Sequence, residues 1–185
     1  MSEKKWLIGG ASISVLLVAF LVGVVLTGGF NTTLAWTNTE SFCTSCHEMQ
    51  TNFNEYKKTI HNKNRTGVRA TCPDCHVPHD FAPKMYAKIR AAKDVWHHLL
   101  GTIDTKDKYE DYRLTMAKRV WEQMKDTDSR ECRHCHVVDS MAMDEQQGRA
   151  ARKHAAMKES GKTCIDCHKG VAHELPRDYD EAEED

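Results

Sequence analysis

The eight cysteines of this 185-residue chain fall into four C-x-x-C pairs with none left over: Cys43/Cys46, Cys72/Cys75, Cys132/Cys135 and Cys164/Cys167. A histidine follows each pair at once, as His47, His76, His136 and His168. C-x-x-C-H is the attachment signature of c-type haem. The spacing has a chemical reason. Two thiols add to the two vinyl groups of the porphyrin as thioethers, and the adjacent imidazole then lies under the iron as an axial ligand. Disulfides, zinc sites and dithiol exchange also use cysteine pairs. However, neighbouring cysteines do not staple distant segments, four-cysteine zinc sites need no histidine, and a thioredoxin-like motif occurs once, inside a βαβ pattern. None of them explains a histidine after every second cysteine, four times over. The residues point to four covalently bound haem c groups, each holding iron.

A low-spin electron-transfer haem needs a strong sixth ligand, usually His or Met. Eleven histidines, less the four in the motifs, leave seven. Thirteen residues separate His47 from His61, ten separate His61 from Cys72, and two separate His76 from His79. In the second half, seventeen separate His136 from His154, nine separate His154 from Cys164, and four separate His168 from His173. Both halves read motif, gap, His, gap, motif, short gap, His, which is a duplicated two-haem unit covering about 40–80 and 129–174. The repeat marks His61, His79, His154 and His173 as distal ligands. The short gaps before His79 and His173 argue that each reaches a neighbouring haem and locks the haems into pairs. His134 lies inside its own motif, and His97 and His98 are adjacent on a predicted helix, so these three read as ordinary surface histidines.

The elements that position these groups are helical. Lys+Arg is 26 against Asp+Glu 27, so the charge is balanced and a basic nucleic-acid binder is excluded. Away from the N-terminus the chain is very polar, too polar for a protein-only core, and bound haems must supply most of the apolar interior. There is no convincing strand alternation. Helices are predicted over Pro83–Leu100, stopped by Gly101; over Tyr109–Lys125, with Tyr112, Met116, Val120 and Met124 one turn apart; and over Met141–Ser160, with Asp139 or Ser140 as N-cap and Gly161 as stop. The tail 177–185 is acidic and solvated, with six acids between Asp178 and Asp185.

From Trp6 to Phe30 no charged residue occurs for 25 positions, enough to cross a hydrocarbon core of about 30 Å. A signal peptide would have a shorter apolar region and a small-x-small cleavage site. Residues 6–30 therefore read as an uncleaved transmembrane helix in the lipid bilayer. Lys4 and Lys5 precede it and no Lys or Arg follows until Lys57, which places residues 1–5 in the cytoplasm and 31–176 in the periplasm. The fold class is thus mainly α: one N-terminal transmembrane helix and a multihaem cytochrome c domain with little regular structure, built from two duplicated dihaem units.

Over essentially its whole length the chain resembles the NapC/NirT family of membrane-anchored tetrahaem cytochromes c. The segments TIHNKNRTGVRATCPDCHVPH (Thr59–His79) and KTCIDCHKGVAH (Lys162–His173) are similar to the NapC branch in particular. The resemblance implies a quinol dehydrogenase of the bacterial inner membrane, which oxidises menaquinol or ubiquinol and passes electrons to a periplasmic reductase in anaerobic respiration, typically nitrate reductase. In the relatives that serve nitrite reductase, the first haem is ligated by a Met two residues after the motif His. Met49 stands there, which leaves His47 and Met49 both open as proximal ligand. An Asp faces that haem in the relative, and Asp94 in A-A-K-D-V-W resembles it. The relative's pocket Lys, seven positions earlier, is replaced by Ala87, with Lys88 next and Lys93 as a second substitute. His154 has no counterpart in that relative, so its ligand arrangement need not transfer.

These implications define a quinol site beside the first haem. Asp94 would take a proton or bind the quinol hydroxyl, and Lys88, Arg90 or Lys93 would steady the headgroup charge. Two other classes stay open: a multihaem shuttle without a quinol site, and a terminal multihaem reductase, which needs an open iron. Within the quinol class, nitrite, dimethyl sulfoxide and trimethylamine N-oxide reductases are alternative acceptors. A single transmembrane helix also leaves room for a homo-oligomer or a stable partner.

Overall fold

The computed structural model describes residues 7–180. The cytoplasmic assignment of residues 1–5 and the acidic stretch 181–185 lie outside the described residues. Helix α1, Leu7–Trp36, is 30 residues long. Its segment Ile13–Trp36 is long and apolar enough to cross a membrane, and none of that segment is buried in the protein. The helix runs past Phe30, where the apolar reading ends, because the polar side chains that follow bond back along it. Asn31 Nδ2 donates to the Thr27 carbonyl at 2.8 Å, and Thr32 Oγ1 to that of Gly28 at 2.8 Å. Such bonds satisfy polar groups inside the helix and extend it without a partner. The chain then turns at Thr37–Thr39, and Thr39 Oγ1 accepts from the Phe42 amide at 3.2 Å as the N-cap of α2, Glu40–Cys43.

Past a 3₁₀ turn at His47–Met49, the chain forms α3 (Gln50–Tyr56), α4 (Cys72–His76), α5 (Phe81–Leu99), α6 (Lys106–Asp126) and α7 (Arg130–Arg133). It ends with α8 (Gly148–Ala155), α9 (Met157–Ser160) and α10 (Cys164–Cys167). No strand occurs among the described residues, and the fold is mainly helical. Gly101 takes φ +62° just beyond α5, the left-handed turn that stops that helix.

The helix expected over Met141–Ser160 is not continuous. Asp139 and Ser140 lie in a 3₁₀ turn at Val138–Ser140, Met141 and Gln146 are extended, and the α-helical part starts only at Gly148. The stretch has helix-forming residues but no buried face, and short helices gain stability mainly from packing. Opening it lets the Gln146 side chain bond His154 Nδ1 at 2.6 Å. The stop at Gly161 is as expected, with φ +65°.

The protein's own core is small. Among the described residues only Tyr56, Tyr109, Trp121 and Ile165 are buried apolar side chains. Polar clamps do the rest. Buried Arg113 of α6 donates to Glu55 Oε2 of α3 at 2.6 Å and to the Glu174 carbonyl at 2.6 Å, while the Glu174 amide donates to the same Glu55 oxygen at 2.9 Å. This clamp holds the segment carrying His173 against α3 and α6. Fully buried Ser129, in the left-handed region at φ 50°, accepts from the Ile165 amide through Oγ at 3.1 Å and so ties α10 to the start of α7.

Candidate haem sites

All four motifs sit on or beside one-turn helices. In α4 and α10 the construction is the same: Thr-Cys-x-Asp-Cys-His closes a capping box, with the Thr71 amide donating to Asp74 at 2.7 Å and the Thr163 amide to Asp166 at 2.7 Å. Burial works to raise the Asp166 carboxyl, but hydrogen bonds from Thr163 and Lys125 outweigh it and hold the group below its ordinary value. All eight cysteines are free thiols, so no C-x-x-C pair is a disulfide. The motifs follow one another in space as in sequence. Cys72 hydrogen-bonds Cys43, α4 packs on α7, and Cys132 lies within electrostatic reach of both Cys75 and Cys164.

The eight motif cysteines differ in exposure although their spacing is uniform. Six are half-buried: Cys43, Cys46, Cys72, Cys75, Cys132 and Cys164. Cys135 and Cys167, the second cysteines of the third and fourth motifs, are exposed. The reason for Cys135 is local. Helix α7 ends at Arg133, so Cys135 falls in the turn beyond it, while Cys132 sits inside the helix. Cys135 still lies within electrostatic reach of Cys75, on the side where α4 meets α7. Its exposure does not bar a thioether, which forms at the edge of the porphyrin and needs access rather than burial. The thiols also differ in acidity. The bond from Cys72 holds Cys43 low, whereas burial pushes Cys132 up to about 11. A set built for dithiol exchange would share a lowered thiol.

The histidine rings test whether these residues fit haem. Metal–imidazole bonds are about 2 Å long, so two rings on opposite sides of one metal have centroids about 6 Å apart. His61 and His136 are 6.2 Å apart, His76 and His173 6.2 Å, and His154 and His168 5.9 Å. In each pair a motif histidine faces a histidine that the repeat marks as distal. His61 and His173 each also keep a buried Nδ1 without a hydrogen-bond partner. The residues fit the group. The pairs of His61 and His173 join the two halves of the chain.

His79 is placed differently. It stacks on His134 with centroids 3.8 Å apart, a ring-on-ring contact with no room for a metal between. His47, on the first motif, faces His98 of α5 at 5.9 Å, and His98 Nδ1 lies 2.6 Å from Glu48 Oε1. Met49 closes the same 3₁₀ turn, half-buried. His97 bonds Thr102 Oγ1 at 3.0 Å, an ordinary helix-end contact. Sequence reasoning set His98 and His134 aside. Their partners lie 50 and 55 positions away in the chain, and nothing in the local pattern marks such contacts.

The four residues implied for a quinol site all lie on α5 but point apart. Lys88 Nζ donates to the Thr37 carbonyl at 2.7 Å and to Thr37 Oγ1 at 3.1 Å, just beyond α1. Asp94 is exposed one turn before His98, on the flank nearest the first motif. Arg90 covers the Tyr86 ring at 5.8 Å, and Lys93 is exposed. Burial lowers Lys88 below the ordinary lysine range, Cys43 opposes the shift and Lys84 adds to it.

Residues 8–178 match the family described as NapC/NirT cytochrome c, N-terminal region. The chain belongs to the NapC/NirT cytochrome c family. It is 53% identical over 184 residues to the Stutzerimonas stutzeri denitrification system component NirT, covering 99% of this chain and 90% of that one. It is 52% identical over 164 residues to the cytochrome c-type protein NapC of Escherichia coli K12, covering 88% and 82% respectively. No solved structure matches. As a NapC/NirT member the chain is an electron-transfer cytochrome of a respiratory chain and carries covalently bound haem c.

Proposed function

We propose that this cytochrome is anchored in the inner membrane by α1, N-terminus inside, and oxidises membrane quinol to feed a periplasmic reductase, nitrate reductase foremost. Four haem c groups supply one-electron acceptors when bound. His76, His136 and His168, with His47 or Met49 at the first motif, would hold them from the motif side, and His61, His154 and His173 would hold them from the facing side. The matching capping boxes at Thr71 and Thr163 support the duplicated dihaem reading.

The observation that carries the quinol assignment is the placement of α5. Lys88 fastens it to the end of the membrane-spanning helix, and His98 fastens it to the first motif. Its large apolar side chains face outward: Phe81, Ile89, Trp96 and Leu99 are 60–71% exposed. They share one face of the helix, while Arg90 and Lys93 flank it, a pattern suited to lying in a membrane interface. A lipid-soluble quinol would meet Asp94 there. Its oxidation releases two electrons and two protons. The Asp94 carboxylate accepts a hydroxyl proton, and Lys88 holds the backbone at Thr37, closing the pocket on the membrane side. The name of the Stutzerimonas relative, a denitrification system component, favours a nitrogen-oxide reductase as acceptor.

Anaerobic mixing of the oxidised, detergent-solubilised full chain with a menaquinol analogue tests this, read at the haem α-band. Rapid reduction is expected, slowed about 100-fold or more in Asp94→Asn with haem content unchanged. Reduction by dithionite but not by quinol would leave a haem shuttle and remove the quinol site.

A further inference from the structure

We propose that the basic loop Lys57–Arg69 binds anionic phospholipid headgroups of the leaflet in which α1 ends, and so seats the haem domain on the membrane surface. The proposal rests on the reading that α1 spans the bilayer. The charge of the chain is balanced in total but not along its length. Between Lys57 and Leu100 nine Lys and Arg meet three Asp and Glu, whereas from Gly101 to Asp185 fifteen meet twenty. Five of the nine cations fall between Lys57 and Arg69, with no acid among them. Such a polarity fits a molecule with one end on an anionic surface and the other held off it.

The loop is fastened where the headgroups lie. The apolar segment of α1 covers 24 residues, about 36 Å of helix against a hydrocarbon core of about 30 Å, so the residues just past Trp36 stand at headgroup depth. Arg69 Nη2 donates to Glu40 Oε2 at 2.6 Å, four residues beyond the end of α1. Lys88 holds α5 to Thr37 in the same stretch. The loop is also braced. The Ala70 amide closes its base on the His61 carbonyl at 3.1 Å. Within it Asn64 Oδ1 accepts from the Thr66 amide at 3.0 Å, and Asn64 Nδ2 donates to the Ile60 carbonyl at 3.0 Å. The surface this presents is mixed. Lys63 and Arg65 are exposed, and so are Ile60 at 69% and Val68 at 71%. Arg69 is spent on Glu40, and Lys58 reaches Glu174 at 3.4 Å, which leaves Lys63 and Arg65 as the charges at the tip. Cations beside exposed apolar side chains suit a headgroup layer: the charges meet phosphates while the apolar groups reach the acyl boundary. The fastening at Glu40 favours lipid over an acidic protein partner, because it keeps the loop at the depth of the bilayer surface.

Electron paramagnetic resonance of spin-labelled lipids tests this. The haem-loaded full chain is reconstituted in phosphatidylcholine bilayers that carry a trace of spin-labelled phosphatidylglycerol or spin-labelled phosphatidylcholine, and the motionally restrained fraction of each is compared. Phosphatidylglycerol is expected to be preferred about fivefold, the contribution of one cation held near an anionic surface. The preference is expected to fade in about 0.5 M salt. Lys63→Gln/Arg65→Gln is expected to bring the two lipids close to parity, with haem content and dithionite reduction unchanged. Should the double variant fail to assemble, Lys63→Glu alone decides, and is expected to lower the preference. Equal restraint of both lipids by the wild type would overturn the proposal and leave the span in place. So would a phosphatidylglycerol preference that survives in the double variant; a lowered oligomeric mass in that variant would then give the loop to the acidic half of a second copy. Restraint of neither lipid would instead overturn the span on which the proposal rests.

Discussion

Lys88 ties α5 to the chain just beyond α1. Its ammonium is half-buried and bonded to the backbone at Thr37. Burial holds its pKa below that of an unfolded lysine, about 10.4. The unfolded chain therefore binds more protons at this site between the two values, and stability rises with pH across that window. Below the folded value the desolvation cost is fully present. Denaturant titrations from neutral to alkaline pH are expected to show this rise in the wild type. Lys88→Met should flatten it. Attaching haem to Cys43 turns the thiolate that opposes the shift into a thioether, so the rise is expected to be larger in the loaded protein than in the haem-free chain.

At the scale of elements, the clamp among Glu55, Arg113 and residue 174 holds the histidine-bearing C-terminal segment in place of a large core. Arg113→Met leaves Glu55 charged and buried without its partner, and a loss of about 3–5 kcal/mol is expected in denaturant unfolding. The double variant Glu55→Met/Arg113→Met should recover much of it. The outward face of α5 makes a different demand. Ile89→Glu/Leu99→Glu is expected to raise the KM for a lipid-phase quinol several-fold while leaving dithionite reduction and haem content unchanged. Much at this scale was legible in the sequence. The C-x-x-C-H spacing marks the motifs, Gly101 and Gly161 mark helix ends, and the period of Met85, Ile89, Trp96 and Leu99 marks an amphipathic helix. What that period cannot say is what covers the face: Ile89, Trp96 and Leu99 are exposed on the protein's own surface, while Met85 is half-buried. Nor does the spacing separate exposed Cys135 from half-buried Cys132, because where α7 ends depends on its neighbours. The histidine pairing was equally hidden, because ring-to-ring contacts between halves of the chain depend on the clamps that bring those halves together.

At the scale of the whole molecule, the motifs run in space in the order of the sequence, from the one beside the membrane helix to the one near the C-terminal segment. This suits a chain that takes electrons at the bilayer and delivers them to a partner docked away from it. The decisive measurement is end to end. The full chain is placed in liposomes charged with menaquinol, with a periplasmic nitrate reductase outside, and quinol and nitrate are followed together. One quinol oxidised per nitrate reduced to nitrite, dependent on this cytochrome and slowed about 100-fold by Asp94→Asn, is the expected result. Nitrate reduction that proceeds when dithionite feeds the cytochrome but never when quinol does would contradict the account.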